Sequence, residues 1–297
     1  MIKWLITGVD GFIGSQFASF LSGDHEVIGT YLNEFSSRGQ YLGLPLNILE
    51  KQKVIDTFKE VKPDCVVHFA GTKDVAWCEK NPHKAFTINT EGLRNIAEAS
   101  LAINTFLIFQ SSDYVFEGTR GHYSVHDECC PKTVYGQTKL KAEEVLLSMP
   151  LAWAILRSGG IYAAINPPAS ALGWARASLG KGEKILAYQN IYNTPTYIKD
   201  LLNAIKIIGE MRLMGIFHLS GASRESRFSF IKTFAQEFGF DPQLVHPSEY
   251  VPEVADIKPK DLSLDSKLYY QKLCVEFHDA KSGLRLASEQ YKEALAK

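Results

Sequence analysis

Three glycines near the start of the chain place the strongest limit on what it can fold into. Gly8, Gly11 and Gly14 follow residues 2–7, a mostly apolar run typical of a buried strand, and precede residues 15–21, which have helical periodicity. Glycines placed in this way allow a tight turn, a close approach of backbone to a pyrophosphate, and close packing of helix on strand. The free N–H groups that begin a helix attract the anion. We therefore predict a dinucleotide site, with an unliganded strand–helix turn as the alternative. The predicted binding residues of this turn are Gly8, Asp10, Gly11, Phe12, Ile13 and Gly14.

The rest of the chain alternates strand-like and helix-like segments. Such alternation predicts a parallel, doubly wound sheet, so the expected fold class is α/β and Rossmann-like. A length of 297 residues suits one large domain or two intimate ones. We expect residues 1–157 and about 185–222 to form the dinucleotide-binding domain, and about 158–184 with 223–297 to form a smaller C-terminal α/β region.

The end of the second predicted strand bears on which nicotinamide cofactor is bound. In NAD-specific proteins an acidic residue there often holds the ribose 2′-hydroxyl, but this strand ends in Thr30, Tyr31 and Leu32. Arg38 follows closely, and a guanidinium with nearby hydroxyls suits a 2′-phosphate. We therefore favour NADP(H) over NAD(H), although Glu34 also suits a ribose hydroxyl.

Residues at the ends of other strands belong to the same predicted site. In an open parallel sheet the carboxyl ends of the strands face the ligand crevice. His68 precedes this edge inside an apolar run, and we interpret it as a buried core histidine, not a catalytic one. The further predicted cofactor-binding residues are Tyr31, Arg38, Asn47, Ile48, Phe69, Ala70 and Gly71.

Tyr135 and Lys139 lie four residues apart in a predicted helix, so their side chains share one face. An ammonium lowers the pKa of a nearby phenol, which makes such a pair a proton donor and acceptor for interconversion of a carbonyl and an alcohol. Ser112 and Asp113 follow a predicted strand and fall on the crevice side. An ordinary helix face and a Ser/Asp-rich turn are the alternatives.

Composition excludes several other classes of function. The net charge is −1, from 32 basic and 33 acidic residues, so the chain has no general attraction for nucleic acid or an anionic membrane. Its five cysteines show no CxxC or Cys/His metal spacing, so we expect no metal and reduced thiols in the cytoplasm. We find neither a signal peptide nor an apolar run long enough to span a membrane.

These motifs together resemble the extended short-chain dehydrogenase/reductase family, and within it most closely the dTDP-4-dehydrorhamnose reductase branch. The resemblance covers essentially the whole chain. It implies a smaller C-terminal region that binds substrate, and it leaves a homodimer open. The stretches that carry it are Gly8 to Gly14, Ser111-Ser112-Asp113-Tyr114-Val115-Phe116-Glu117-Gly118, Tyr135-Gly136-Gln137-Thr138-Lys139-Leu140-Lys141-Ala142-Glu143, Asn193-Thr194-Pro195-Thr196 and Lys258-Pro259-Lys260-Asp261-Leu262-Ser263-Leu264-Asp265.

The resemblance implies an NAD(P)H-dependent reduction of a 4-keto nucleotide sugar in carbohydrate biosynthesis. Tyr135 would donate a proton to the carbonyl oxygen, and Ser112 would hydrogen-bond the same oxygen. Lys139 would lower the pKa of Tyr135 and hold the nicotinamide ribose, so Tyr135 and Lys139 also count as cofactor-binding. The implied substrate contacts are Thr72, Asp113, Tyr114 and Ser158.

Two departures bear on the reaction that the family resemblance implies. After Ser112 the chain has Asp113-Tyr114, without the glutamate of nucleotide-sugar dehydratases or the cysteine of fucose-synthase-like enzymes, and a simple reductase needs neither. Gly160 stands where rhamnose reductases carry a tryptophan, which predicts a wider or differently shaped pocket and leaves the identity of the sugar open. A nucleotide-sugar epimerase, or a non-catalytic NADP-binding subunit like the regulatory subunit of methionine adenosyltransferase, remain the alternatives.

Overall fold

The computed structural model describes residues 1–33, 41–251 and 258–296 of the chain. Its strands are β1 (Lys3–Thr7), β2 (Glu26–Tyr31), β3 (Leu42–Pro45), β4 (Cys65–His68), β5 (Phe106–Gln110), β6 (Trp153–Arg157), β7 (Ile161–Tyr162), β8 (Ile185–Tyr188), β9 (Tyr192–Asn193), β10 (Thr196–Tyr197), β11 (Gly215–His218), β12 (Glu225–Ser226) and β13 (Val245–Ser248). Its α-helices are α1 (Phe12–Leu21), α2 (Lys51–Val61), α3 (Val75–Lys80), α4 (Pro82–Phe86), α5 (Gly92–Ala102), α6 (Val134–Leu147), α7 (Ala171–Gly180), α8 (Ile198–Glu210), α9 (Arg227–Glu237), α10 (Lys267–Leu273) and α11 (Ala280–Leu295).

These elements form two compact units. For the described residues, the first unit comprises Met1–Val115, Cys129–Arg157 and Ile205–Phe217, and the second comprises Phe116–Glu128, Ser158–Ala204 and His218–Lys297.

The first unit is built on a seven-stranded sheet with the strand order β3-β2-β1-β4-β5-β6-β11. The neighbouring strands from β3 to β6 pair in parallel, and Leu5 of β1 lies opposite Ile28 on one side and Val66 on the other. The strand order reverses between β1 and β4, and open α/β sheets bind ligands outside the carboxyl ends of strands at such a point. The predicted Rossmann-like, doubly wound fold is confirmed.

Helices cover both faces of this sheet. Successive residues of a strand enter opposite faces, so Leu5 packs in a buried cluster with Phe58 of α2 and Ile96 of α5. Trp4 instead packs edge-on against Phe17 of α1, with ring centroids 5.6 Å apart. Because both faces are buried, the strands are continuous apolar runs and not alternating ones.

The second unit has a core of its own. Helices α7, α9 and α11 bury Leu172, Phe234 and Leu284 in one cluster with Ile185 of β8 and Val245 of β13. Strands β8 and β13 pair in parallel, as do β7 and β10, whereas β9 and β12 are antiparallel. The unit is therefore a small α/β layer with short strands.

The unit boundaries differ from those expected from the sequence. Residues 185–204, assigned above to the dinucleotide-binding domain, belong to the second unit because β8 and β9 pair with β13 and β12 and not with the seven-stranded sheet. Residues 116–128 also belong there, where the Tyr123 N–H donates to the Ser263 carbonyl. That the second unit binds substrate stays a prediction.

A π-turn at Thr87–Glu91 joins α4 to α5. The N–H of Gly92 donates to the carbonyl of Thr87, five residues earlier, where an α-helix would use a residue four earlier. The turn holds Asn89, whose contacts are described below.

The described residues contain neither a membrane-spanning helix nor a cluster of metal ligands. None of their helices combines the length and the apolar character that crossing a membrane requires. No group of three or more His, Cys, Asp or Glu side chains among them is placed to hold a metal ion.

Candidate functional site

A cleft of about 480 Å³ lies in the first unit, where the carboxyl ends of β1, β2, β3 and β4 meet. Most of the predicted cofactor-binding residues line it. They are Gly8, Asp10, Gly11, Tyr31, Asn47, Ile48, Phe69, Ala70 and Gly71, and the predicted substrate residue Thr72 lines it too.

The glycine turn after β1 forms one wall of this cleft. Gly8 has a φ of +71°, and the N–H groups of Gly8 and Val9 both donate to the Thr30 carbonyl. A Cβ on Gly8 would lie 2.8 Å from the Ala70 backbone, and a Cβ on Gly14 would overlap the Gly8 carbonyl oxygen. Gly8 therefore requires glycine for its positive φ, and both Gly8 and Gly14 require it because a Cβ would collide with backbone atoms.

Helix α1 begins at this turn without a side-chain cap. Its N-cap residue is Gly11, in an extended conformation, and no side chain accepts from the first N–H groups of the helix. The first N–H groups of a helix lack partners within the helix and favour an anion. The bare helix start and the glycine cradle fit the pyrophosphate of a dinucleotide.

Some predicted residues do not line the cleft. Phe12, Ile13 and Gly14 are in the first turn of α1, behind the glycine wall, and Tyr135 and Lys139 are on α6. Arg38 and Glu34, which bear on the choice between NADP and NAD, lie outside the described residues. The cleft is also lined by residues that the sequence analysis did not select, namely Thr30, Leu32, Asn33, Leu46, Leu49 and Ile88. All but Ile88 adjoin selected residues at strand ends, so the strand-end rule applied more widely would have found them.

Lys139 is buried against the end of β5. Its Nζ donates to the Gln110 carbonyl at 2.9 Å and lies 4.8 Å from the centroid of the Phe109 ring. Burial lowers the pKa of Lys139 to about 8, and the Glu143 carboxylate opposes that change. The lysine therefore remains largely an ammonium at neutral pH.

The pKa of Tyr135 shifts in the direction opposite to the one predicted. The spacing of Tyr135 and Lys139 predicts that the ammonium lowers the pKa of the phenol, but burial raises that pKa well above its usual value. The Ser112 side chain opposes the rise, and the negative charge of Asp113 adds to it. The Lys139 ammonium donates to the Gln110 carbonyl and is not among the groups that shift this pKa. The Tyr135 phenol keeps its proton at neutral pH.

Ser112 and Asp113 lie beside Tyr135 at the carboxyl end of β5. The Ser112 hydroxyl donates to Asp113 Oδ1 at 2.9 Å, and the Tyr114 N–H donates to Ser112 Oγ at 3.2 Å. Burial raises the pKa of Asp113 to about 7, with its hydrogen bonds acting in the opposite direction. The Tyr114 ring meets the Tyr135 ring edge-on, with centroids 5.5 Å apart. The structure thus brings the predicted catalytic residues and two predicted substrate residues together.

A buried ion pair next to this group was not predicted. Glu143 is 1% exposed, Arg157 is 4% exposed, and Arg157 Nη2 lies 2.6 Å from Glu143 Oε2. The other carboxylate oxygen accepts from Arg157 Nε at 3.1 Å and from Ser111 Oγ at 2.5 Å. Glu143 is four residues after Lys139, and that spacing was the only signal in the sequence.

Asn89, in the π-turn, connects the two halves of the site. Its Oδ1 accepts from the Thr72 N–H at 2.8 Å, and its Nδ2 donates to the Thr72 carbonyl and to Thr138 Oγ1. Asn89 thereby ties the strand end that lines the cleft to the helix that carries Tyr135. A polar residue within a helical pattern gave no sign of this role.

His68 is the core histidine that the sequence indicates. It is 1% exposed, and its Nδ1 lies 2.7 Å from Thr7 Oγ1. Burial, with a smaller effect from the charge of Lys139, lowers its pKa to about 3. The ring is therefore neutral and helps to join β1 to β4.

Ser158 and Gly160 belong to the second unit. Ser158 is 3% exposed. Gly160 has a φ of +59°, and a Cβ there would meet Asn193 Nδ2 at 2.7 Å and the Pro195 Cα at 3.2 Å. The Asn193 amide therefore lies directly against Gly160, and the wider or differently shaped pocket stays a prediction.

Comparison with known proteins agrees with this architecture. A family model described as RmlD substrate binding domain matches residues 2–293. The methionine adenosyltransferase 2 subunit beta of Rattus norvegicus is 27% identical over 275 residues, covering 89% of this chain and 80% of that protein. The crystal structure of a hypothetical dTDP-4-dehydrorhamnose reductase from Sulfolobus tokodaii is 30% identical with a TM-score of 0.83, covering 95% of this chain and 99% of that one. The dTDP-4-dehydrorhamnose reductase of Bacillus anthracis in complex with NADP is 23% identical with a TM-score of 0.86, covering 98% and 99% of the two chains.

Proposed function

This chain belongs to the RmlD substrate binding domain family, and from that membership we propose that it is an NADP(H)-dependent reductase of a 4-keto nucleotide sugar. The observation that supports this most is the group of Ser112, Tyr135 and Lys139, buried in the same unit as the dinucleotide cleft. A protein that only binds a dinucleotide has no need of a buried phenol, hydroxyl and ammonium together.

The glycine turn and the strand ends would hold the dinucleotide. Gly8 and Gly11 with the start of α1 would take the pyrophosphate, and Asn47 and Gly71 lie along the same cleft. When bound, the nicotinamide ring supplies hydride to the substrate carbonyl carbon. We propose NADP(H) over NAD(H) because β2 ends without an acidic residue.

Tyr135 would give its proton to the carbonyl oxygen as that oxygen becomes an alkoxide. Because burial keeps the phenol protonated at neutral pH, the proton is in place when the reaction begins. Ser112 would hydrogen-bond the same oxygen, and Lys139 would orient the ribose and supply positive charge nearby. Thr72, Tyr114 and Ser158 are the proposed substrate contacts, with Asp113 beside them.

Oxidation of NADPH in the presence of 4-keto nucleotide sugars tests this function. A panel with dTDP, GDP, CDP and UDP carriers should contain at least one substrate, and Tyr135→Phe should lower kcat for it by about 10²- to 10⁴-fold through loss of the proton donor. Tyr41→Phe, at a tyrosine that does not line the cleft, is the matched control and should keep its activity. No turnover with any member of the panel would rule out the proposal.

A non-catalytic role is the second candidate, and one comparison favours it. The similarity to methionine adenosyltransferase 2 subunit beta extends over 89% of this chain. A subunit of that kind should bind NADP without turnover and should co-purify with an unrelated enzyme whose kinetics it changes. Turnover that Tyr135→Phe abolishes decides for the reductase.

A further inference from the structure

The Ser112 hydroxyl has a single proton, and a neighbouring carboxylate takes it. In the structure it donates that proton to Asp113 Oδ1 at 2.9 Å. Ser112 is also near enough to the Tyr135 phenol to act on its pKa. A hydroxyl has one donor and two acceptor sites. While Ser112 donates to a carboxylate, it can offer only lone pairs to any other neighbour.

This geometry matters for the substrate carbonyl that the proposed function places beside Ser112. A carbonyl oxygen only accepts hydrogen bonds, so it gains nothing from a hydroxyl whose proton points away. If Asp113 is a neutral acid, its own O–H can donate to Ser112 Oγ, and the Ser112 proton becomes available to the carbonyl. The direction in which the Ser112 hydroxyl donates therefore depends on whether Asp113 is protonated.

We propose that Asp113 is a positioning residue that sets the direction of the Ser112 hydroxyl: as a neutral acid it turns that hydroxyl toward the substrate carbonyl, and as a carboxylate it turns it away. This inference rests on the proposed reductase function. No proton leaves Asp113 during turnover, because the proton that reaches the product comes from Tyr135.

The burial of Asp113 allows both its neutral acid and its carboxylate to be populated near neutral pH. The side chain is 4% exposed, and burial brings its pKa to about 7. The titratable groups nearest to it are Tyr114 on its own turn and Tyr135 of α6, with Cys78 of α3 beside Tyr135. Ser112 is the side chain that donates to Asp113, and the backbone N–H groups of Asp113 and Tyr114 also hydrogen-bond its carboxyl.

The test is the pH dependence of kcat/KM for reduction in the wild type and in Asp113→Asn. In the wild type, kcat/KM should fall as the pH rises through the Asp113 pKa and then level off near the low value of Ser112→Ala, because the carboxylate withdraws the Ser112 donor. The asparagine amide donates to Ser112 Oγ at every pH, so Asp113→Asn should lose this limb of the profile. An unchanged limb in Asp113→Asn overturns the inference while leaving the reductase function intact.

Ser112→Ala keeps the test decisive if Asp113→Asn does not fold. Asp113 acts through Ser112, so the alanine variant should show a low kcat/KM without the Asp113 limb. A limb that persists in Ser112→Ala also overturns the inference. Absence of turnover by the wild type overturns the reductase function, and this inference with it.

Discussion

One carboxylate, that of Glu143, holds α6 against two strand ends. It accepts from Ser111 after β5 and from Arg157 at the end of β6, and the ion pair is almost fully buried. Removing one partner from a buried pair leaves an uncompensated charge, which costs far more than a surface pair contributes. The same carboxylate opposes the fall in the pKa of Lys139.

Glu143→Gln should therefore lower the free energy of unfolding by about 3 kcal/mol. The matched control is the adjacent Glu144→Gln, whose exposed pair with Lys141 should be worth less than about 1 kcal/mol. Urea denaturation of both variants at neutral pH measures the difference. Equal losses in the two variants would contradict the role given to Glu143.

At this scale the sequence predicted which residues meet but not how they titrate. The four-residue spacing of Tyr135 and Lys139 placed them correctly on one helix, because helical periodicity is a local property. The rise in the Tyr135 pKa comes from burial, which is set by the packing of α3 and α6. No local pattern contains that packing.

The glycine turn and α1 act as one element. Gly14 lies so close to the Gly8 carbonyl that α1 and the turn after β1 have no room for a methyl group. The side chain would collide with backbone, which cannot move aside as a flexible side chain can. The turn also forms a wall of the cofactor cleft, so stability and binding should change together.

Gly14→Ala should lower the free energy of unfolding by about 2 kcal/mol and weaken NADPH binding by more than about tenfold. Gly23→Ala is the control, since a Cβ there meets nothing within 4 Å, and it should change stability by about 0.5 kcal/mol or less. Thermal unfolding and NADPH fluorescence titration give the two quantities. Normal NADPH affinity in Gly14→Ala would show that the turn does not form the binding site.

Elements were predicted best where a segment is buried on both faces and its local sequence patterns agree. The strands of the central sheet are short apolar runs ended by Gly, Pro or polar residues, and β1 begins one residue inside the run predicted at residues 2–7. The π-turn at Thr87–Glu91 was not predicted, since it depends on Asn89 reaching Thr72 and Thr138, both distant in the chain. The pairing of β8 with β13 joins strands about sixty residues apart, beyond any local pattern.

For the molecule as a whole, cofactor binding should raise the free energy of unfolding. A ligand that binds only the folded state raises the free energy of unfolding by RT ln(1 + [L]/Kd), about 2.7 kcal/mol at a hundred times Kd. Since β2 ends in Thr30 and Tyr31 without an acid, NADPH should raise the Tm more than NADH at equal concentration. A larger shift with NADH would reverse the cofactor preference.

The sheet order illustrates what could be predicted for the whole chain. Alternation of strands and helices was enough to predict the parallel sheet around β1, because crossover connections follow few rules. The division into units was predicted only in part. Residues 116–128 and 185–204 lie between segments of the first unit in sequence, yet they pack in the second.

The π-turn also has a consequence for insertions and deletions. It contains one residue more than an α-helix would use between the same hydrogen bonds. Deleting one residue of Thr87–Glu91 would close the wide turn to a regular α-helical one, with α4 and α5 left nearly in phase because the turn is wider by that one residue. Asn89 would then leave Thr72 and Thr138, so a change in chain length here should be selected against even where single substitutions are tolerated.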